Sequence, residues 1–270
     1  MMNRRYSCMA LVALSLLTQA CTSGGAGDPV PAPKGPVAAH TDRAGVYDPV
    51  TGTFFLRSAS GNPVQFGYGP PRAMPLGGDW DGDGRATVGI YNPASAQFAV
   101  KNTNEPGNAD REIVFGLPGY QPLSGDWDGD GKDSFGVYEP ATSTFSLTNT
   151  AAGDERPIVF NFGSPGLVAI AGDWNGDGID TIGVYNPASA TFFLNDENRF
   201  GNATMQISFG GPNLVPLAGD WDGDGKDSIG VYEPRTGSFF LKNRLAPGPA
   251  DETFSYGAPN MVPVTGHWDG

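Results

Sequence analysis

Asp126, Asp128 and Asp130 occupy alternate positions of Asp-Trp-Asp-Gly-Asp-Gly. The same spacing recurs at Asp79, Asp81 and Asp83, at Asp173, Asn175 and Asp177, and at Asp220, Asp222 and Asp224. Side-chain oxygens on every second residue of a loop, with glycine at position six to take a sharp turn, are arranged to gather hard donors around a cation. These side chains and the carbonyl of position seven suit Ca2+, which takes roughly six to eight oxygens. The loops are not EF-hands, because position twelve, where a bidentate glutamate would close the site, is Ile90, Val137, Val184 or Val231. Without a metal the same residues would be Asp-Gly turns, but a turn does not need a third acid at fixed alternation. A damaged fifth copy, Gly266-His267-Trp268-Asp269-Gly270, has His267 at the first ligand position and keeps only Asp269, so four Ca2+ sites are expected.

No other cluster of reactive side chains stands out. Both cysteines, Cys8 and Cys21, precede the repeats, which leaves the folded part without a disulfide or a thiolate metal site. His40 and His267 have no nucleophilic or acidic partner at motif spacing and are read as structural. The formal charge of −13 argues against nucleic acid, whose phosphates call for a basic stripe. Trp80, Trp127, Trp174, Trp221 and Trp268, each between two ligand positions, are expected to pack beneath their loops.

The elements that position the loops follow from their period. Asp79, Asp126, Asp173 and Asp220 lie 47 residues apart, and one more step reaches His267. A fixed period of this size marks a repeat architecture. In the third full copy, 167–173, 181–186, 191–194 and 205–210 are strand-length segments rich in Val, Ile, Phe and Tyr, which predicts a four-stranded antiparallel sheet per unit. Phe192-Phe193-Leu194 and Phe239-Phe240-Leu241 read as strands covered on both faces. Pro71, Pro118, Pro165, Pro212 and Pro259 precede Arg72, Gly119, Gly166, Asn213 and Asn260, a type II turn column that Arg72 is expected to break. Asp48-Pro49, Asn92-Pro93, Glu139-Pro140, Asn186-Pro187 and Glu233-Pro234 mark a second turn column, between strands two and three.

Strand two begins at Gly45, Gly89, Gly136, Gly183 and Gly230, five times in all. The chain enters the repeat at strand two and leaves after strand one, so its ends are complementary parts of one unit. The expected fold is an all-β, five-bladed β-propeller of four-stranded antiparallel blades. Strand one from the C-terminus closes the ring by joining strands two to four from the N-terminus.

The unit resembles the FG-GAP/VCBS repeats of bacterial surface proteins and of the integrin α-subunit propeller. Phe115-Gly116, Phe162-Gly163 and Phe209-Gly210, with the variants Tyr68-Gly69 and Tyr256-Gly257, match the motif that names the family, and the resemblance covers residues 41–270. It implies Ca2+ bound between the first two strands of a blade. One departure is Thr87, Ser134, Thr181 and Ser228 at loop position nine, where the family commonly has aspartate. Weak sites are therefore expected, toward the roughly 10⁻⁴ to 10⁻³ M range of extracellular modules.

Residues 1–20 read as a signal peptide, with Arg4 and Arg5 before a short apolar run. Leu17-Thr18-Gln19-Ala20-Cys21 resembles a bacterial lipobox, although its Leu falls one position early; Cys21 would be lipidated, the alternative being an ordinary secretory signal. Residues 21–40 form a Pro/Gly/Ala-rich tether, and 41–270 the propeller. Thr22 beside Cys21 favours the outer membrane of a two-membrane cell, the alternatives being a periplasmic or secreted protein. The function expected is that of a non-catalytic, calcium-stabilised binding or adhesion module at the cell envelope, with a protein or glycan ligand. A lectin-like module and a glycan hydrolase are the alternatives. The hydrolase needs non-equivalent acids at a shared centre, whereas Glu105, Glu112, Glu155, Glu197 and Glu252 all fall in or beside the third hairpin. The three-four loops 102–111, 150–156, 195–202 and 243–251 are the longest and read as the least alike, and recognition is expected there.

Overall fold

The computed structural model describes residues 41–150 and 156–269. The signal peptide, Cys21, the tether and His40 lie outside the described residues. Twenty strands and no helix occur among those described, in five four-stranded antiparallel sheets. Blade two is β4 (Met74–Gly78), β5 (Thr87–Asn92), β6 (Gln97–Val100) and β7 (Arg111–Val114). Blade three is β8 (Gln121–Gly125), β9 (Ser134–Glu139), β10 (Thr144–Leu147) and β11 (Ile158–Asn161). Blade four is β12 (Val168–Gly172), β13 (Thr181–Asn186), β14 (Thr191–Leu194) and β15 (Met205–Ser208). Blade five is β16 (Val215–Gly219), β17 (Ser228–Glu233), β18 (Ser238–Leu241) and β19 (Glu252–Ser255). Blade one joins β20 (Val262–Gly266) to β1 (Arg43–Asp48), β2 (Thr53–Leu56) and β3 (Val64–Gly67), with Arg43 opposite Gly266 and Tyr47 opposite Val262. The ring is a five-bladed β-propeller closed as its breakpoints required.

The first strand of each blade lines the central channel. Each has a partner on one side only, and four of the five carry proline (Pro75, Pro122, Pro216, Pro263), a residue that removes a donor from such an edge. Small side chains line the channel: Gly77, Ser124, Ala171, Ala218 and Thr265 occupy one level. Ser124 Oγ donates to Gly77 O at 2.7 Å, and Thr265 Oγ1 to Ala218 O at 3.1 Å, tying neighbouring blades there.

The strands enclosed on both faces are the second of each blade, not the third. The first five residues of β5, β9, β13 and β17 are all buried, whereas Phe193 and Phe240 in the third strands are only half-buried. In the third strands one face is buried between blades and the other is only partly covered, Phe193 and Phe240 lying against the edge of a neighbouring cluster. The core is accordingly laid between blades: Tyr47, Phe54, Leu56, Phe66 and Tyr68 of blade one pack with Val88 and Ile90 of blade two. A Tyr–Phe pair with ring centroids 4.7 Å apart recurs at Tyr47–Phe54, Tyr91–Phe98, Tyr138–Phe145 and Tyr232–Phe239. The Phe-Gly motif sits at the same seams. Gly69, Gly116, Gly163, Gly210 and Gly257 all have positive φ, and each lies against a strand-two residue of the next blade, Ile90, Val137, Val184, Val231 and Val46. A side chain on any of these glycines would meet that neighbour as well as backbone strain.

Arg72 does not break its turn column. Its φ of +67° matches Asn213 at +62° and Asn260 at +67°, and Ala73 N donates to Pro70 O as Tyr120 N does to Leu117 O and Met261 N to Ala258 O. The surrounding contacts impose the conformation: Arg72 N donates to Pro49 O at 2.8 Å, as Gly119 N does to Pro93 O and Asn260 N to Pro234 O. The two turn columns thus pin one another on the face opposite the aspartate loops.

Candidate metal loops and the central channel

Each aspartate loop joins the first strand of a blade to the second, and its opening residue organises the backbone. Asp79 Oδ1 accepts from Gly82 N at 2.7 Å and Asp83 N at 3.1 Å, and Oδ2 from Gly84 N at 2.8 Å. Asp126, Asp173 and Asp220 repeat the pattern. At position six Gly84, Gly131, Gly178 and Gly225 have φ between +81° and +88°, a turn only glycine makes without strain. Burial raises the pKa values of all four opening carboxyls above the usual aspartate value, against the pull of the three backbone N–H groups.

Carboxylate oxygens of Asp79, Asp81 and Asp83 all lie within 4.8 Å of one another, as do those of Asp126, Asp128 and Asp130 and of Asp220, Asp222 and Asp224. Oxygens at 2.3–2.6 Å from a shared Ca2+ stand at most about 5 Å apart, so the donor sets fit that ion. The third loop differs: Asn175 Nδ2 donates to Asp177 Oδ2 at 3.0 Å, and Asn175 brings an uncharged donor where the other loops have a carboxylate. In the fifth copy Asp269 turns away from a ligand position. It pairs with Arg43 at 2.6 Å and accepts from Ala59 N at 2.6 Å, while His267 Nδ1 lies 3.2 Å from Thr41 O. The position-nine residues Thr87, Ser134, Thr181 and Ser228 are buried as the first residues of strand two. The tryptophans pack as expected: Trp80, Trp127, Trp174 and Trp221 are buried, with their rings against Gly78, Gly125, Gly172 and Gly219.

A set of acids that the motif reading passed over lies at position eight. Asp133, Asp180, Asp227 and Asp42 line the central channel, with Ala86 taking the fifth place. Each grips the preceding loop by two hydrogen bonds: Asp133 N donates to Asp79 O at 2.8 Å, and Asp79 N to Asp133 Oδ2 at 2.7 Å. Asp180 holds Asp126 in this way, Asp227 holds Asp173 and Asp42 holds Asp220. At the seam before blade two, Ala86 N still donates to His267 O, but no carboxylate answers. Burial raises the pKa values of these carboxyls, Asp42 and Asp133 to about 7 and Asp180 and Asp227 well above the usual range, and neighbouring acids of the loops and the ring add to the rise. The acids that share the centre are thus these aspartates, which the motif reading did not single out, and none of the glutamates near the third hairpin is among them. The column was visible as three aspartates 47 residues apart, hidden by its place directly after an acidic loop.

The three-four loops of blades two and four lie on the same face as the aspartate loops: Asn104 Nδ2 donates to Ala86 O at 3.1 Å and Asn198 Nδ2 to Asp180 O at 2.8 Å. They are less diverse than they read. Lys101 to Asp110 and Lys242 to Asp251 share Lys-Asn-x-x-x-Pro-Gly-x-Ala-Asp. In each, a buried lysine donates to a loop carbonyl at 3.0 Å, Asn108 O or Pro249 O, and the closing aspartate accepts from Asn102 N or Asn243 N.

No family model and no curated protein matches this chain. Similar solved structures include a crystal structure of BBS1N in complex with ARL6DN, soaked with mercury: 13% identity, a TM-score of 0.39, 82% of this chain and 63% of that one. This chain thus spans about 63% of the length of that relative. Another is a lection of Agrocybe aegerita described as specifically recognising non-reducing terminal N-acetylglucosamine, with 13% identity, a TM-score of 0.45, 83% of this chain and 79% of that one.

Proposed function

We propose that the propeller is a non-catalytic, calcium-stabilised binding module of the FG-GAP/VCBS kind, held at a bacterial cell envelope by a lipid on Cys21. The observation that carries this reading is the placement of carboxylate triads with oxygens within 4.8 Å on the face that also presents the three-four loops. In this reading Asp79, Asp81 and Asp83, Asp126, Asp128 and Asp130, Asp173, Asn175 and Asp177, and Asp220, Asp222 and Asp224 hold four Ca2+ ions. A rigid ring then displays loops of differing sequence to one protein or glycan ligand, the arrangement in which recognition usually resides.

One observation favours the hydrolase instead, namely the carboxyls around the channel. They are equivalent in partner and role, however, and each is committed to holding a neighbouring loop. Hydrolysis by two carboxyls needs one acid and one base in different environments. A lectin with a sugar site on every blade would use repeated residues, and the column Tyr120, Leu167, Leu214 and Met261 is chemically uneven.

The test is an array of envelope and host glycans and proteins, probed with calcium and then with chelator. Replacing 104–110 and 196–201 by short Gly-Ser turns should abolish the captured signal in a protein that still unfolds cooperatively, at a lower temperature because the hydrogen bonds of Asn104, Asn108, Asp110 and Asn198 are lost. A signal that survives both replacements moves the ligand to the opposite face.

A further inference from the structure

A cleft of about 530 Å3 opens between blades two and three, lined among others by Arg111, Glu112, Asp130, Lys132 and Asn149. That volume lies within the roughly 300–1,000 Å3 of small-molecule sites. Two polar groups of its lining are left without partners. Arg111 makes no side-chain hydrogen bond or ion pair among the described residues, and its Nη1 is shielded from solvent. Asn149 Oδ1 is shielded as well and accepts from nothing. The acid beside Arg111 is already engaged, since Glu112 Oε2 accepts from Gln97 Nε2 at 3.1 Å. Arg111 is also peculiar to this seam: the fourth strands of the other blades begin with Val64, Ile158, Met205 and Glu252.

These groups specify a guest. The Arg111 guanidinium offers a planar fork of donors that matches a carboxylate, and Lys132 offsets part of the negative charge that Glu112, Asp130 and Asp133 bring to the same lining. An unpartnered amide oxygen asks for a hydroxyl or N–H donor. The volume calls for something the size of a sugar rather than a lone anion. We propose that the cleft is a single subsite for a hydroxylated carboxylate of sugar size, a uronic acid, with its carboxylate on Arg111 and a hydroxyl donating to Asn149 Oδ1. The assignment deepens the binding-module reading, on which it rests for taking this face as the recognition face.

The experiment is calorimetric titration of the intact protein, in calcium, with D-glucuronate, D-glucose, acetate and L-serine. Glucuronate should bind, and the other three at least tenfold more weakly, because each lacks either the carboxylate or the ring of hydroxyls. Arg111→Gln should weaken glucuronate at least tenfold, Arg111→Lys by less, and Asn149→Ala several-fold, with unchanged thermal transitions. An oligogalacturonide that binds more tightly with length would identify a polymer as the source, and equal affinity at every length a free sugar acid. Acetate or serine binding as tightly as glucuronate overturns the assignment, as does an Arg111→Gln protein with full affinity. Absence of glucuronate binding in a protein that still captures a ligand on the array removes this subsite and leaves the binding-module reading intact.

Discussion

At the scale of single residues, the position-eight aspartates carry a testable electrostatic consequence. Asp133 sits buried, gripping Asp79, with its pKa pushed up to about 7 by burial. Its unfolded value is about 3.9. The folded protein therefore holds a proton that the unfolded chain has released between these values, and stability falls as pH rises through that window. Asp42 acts in the same sense, its pKa also raised to about 7. In chelator, the melting temperature should fall between pH 5 and pH 8. Asp133→Asn keeps an oxygen for Asp79 N but removes the charge, so it should raise the melting temperature at pH 8 and flatten the pH dependence. A variant that melts lower than wild type at pH 8 would show that the carboxylate stabilises the ring.

At the scale of elements, turns and loops divide the labour between the two faces. The type II column keeps its geometry at Arg72 even though a non-glycine residue at φ +67° costs about 1–2 kcal/mol. Arg72→Gly should stabilise the domain by about 1 kcal/mol, read from denaturant unfolding, less the entropy glycine adds to the unfolded chain. No gain, or a loss, would mean that the arginine side chain contributes packing that offsets the strain. On the other face, ions bound only by the folded loops should raise the melting temperature by mass action, and chelator should lower it. Calorimetry should count four ions, with the Asn175 loop the weakest because it has one fewer carboxylate. Five equivalent sites would contradict the pairing of Asp269 with Arg43.

At the scale of the molecule, closure rests on β20 pairing with β1, reinforced by Trp268 Nε1 donating to Arg43 O at 3.0 Å and by the Arg43–Asp269 pair. The position-eight grips run around the ring from blade to blade and are weakest where Ala86 faces His267. In the lipoprotein reading, the Pro/Gly/Ala-rich stretch 21–40 separates the anchor on Cys21 from the propeller. The Cys21→Ser protein should therefore leave the membrane fraction while its thermal transition stays unchanged. Retention of that variant in the membrane fraction would place the attachment elsewhere.

The sequence by itself determined the blade count, the strand positions and the way the ring closes, because a 47-residue period carries each strand and turn into the same column five times. It also singled out the alternating acids, since ligand spacing within one loop is a local property. The inner strand of the channel, the strands enclosed on both faces and the state of Arg72 were decided by tertiary structure, because each depends on contacts across a seam. Asp42 and Asp133 show the same limit: they meet in one channel only because closure brings residues 91 positions apart in sequence to one axis. Arg111 and Asn149 likewise face one cleft from different blades, and their lack of partners among the described residues depends on which side chains the two blades bring to that seam.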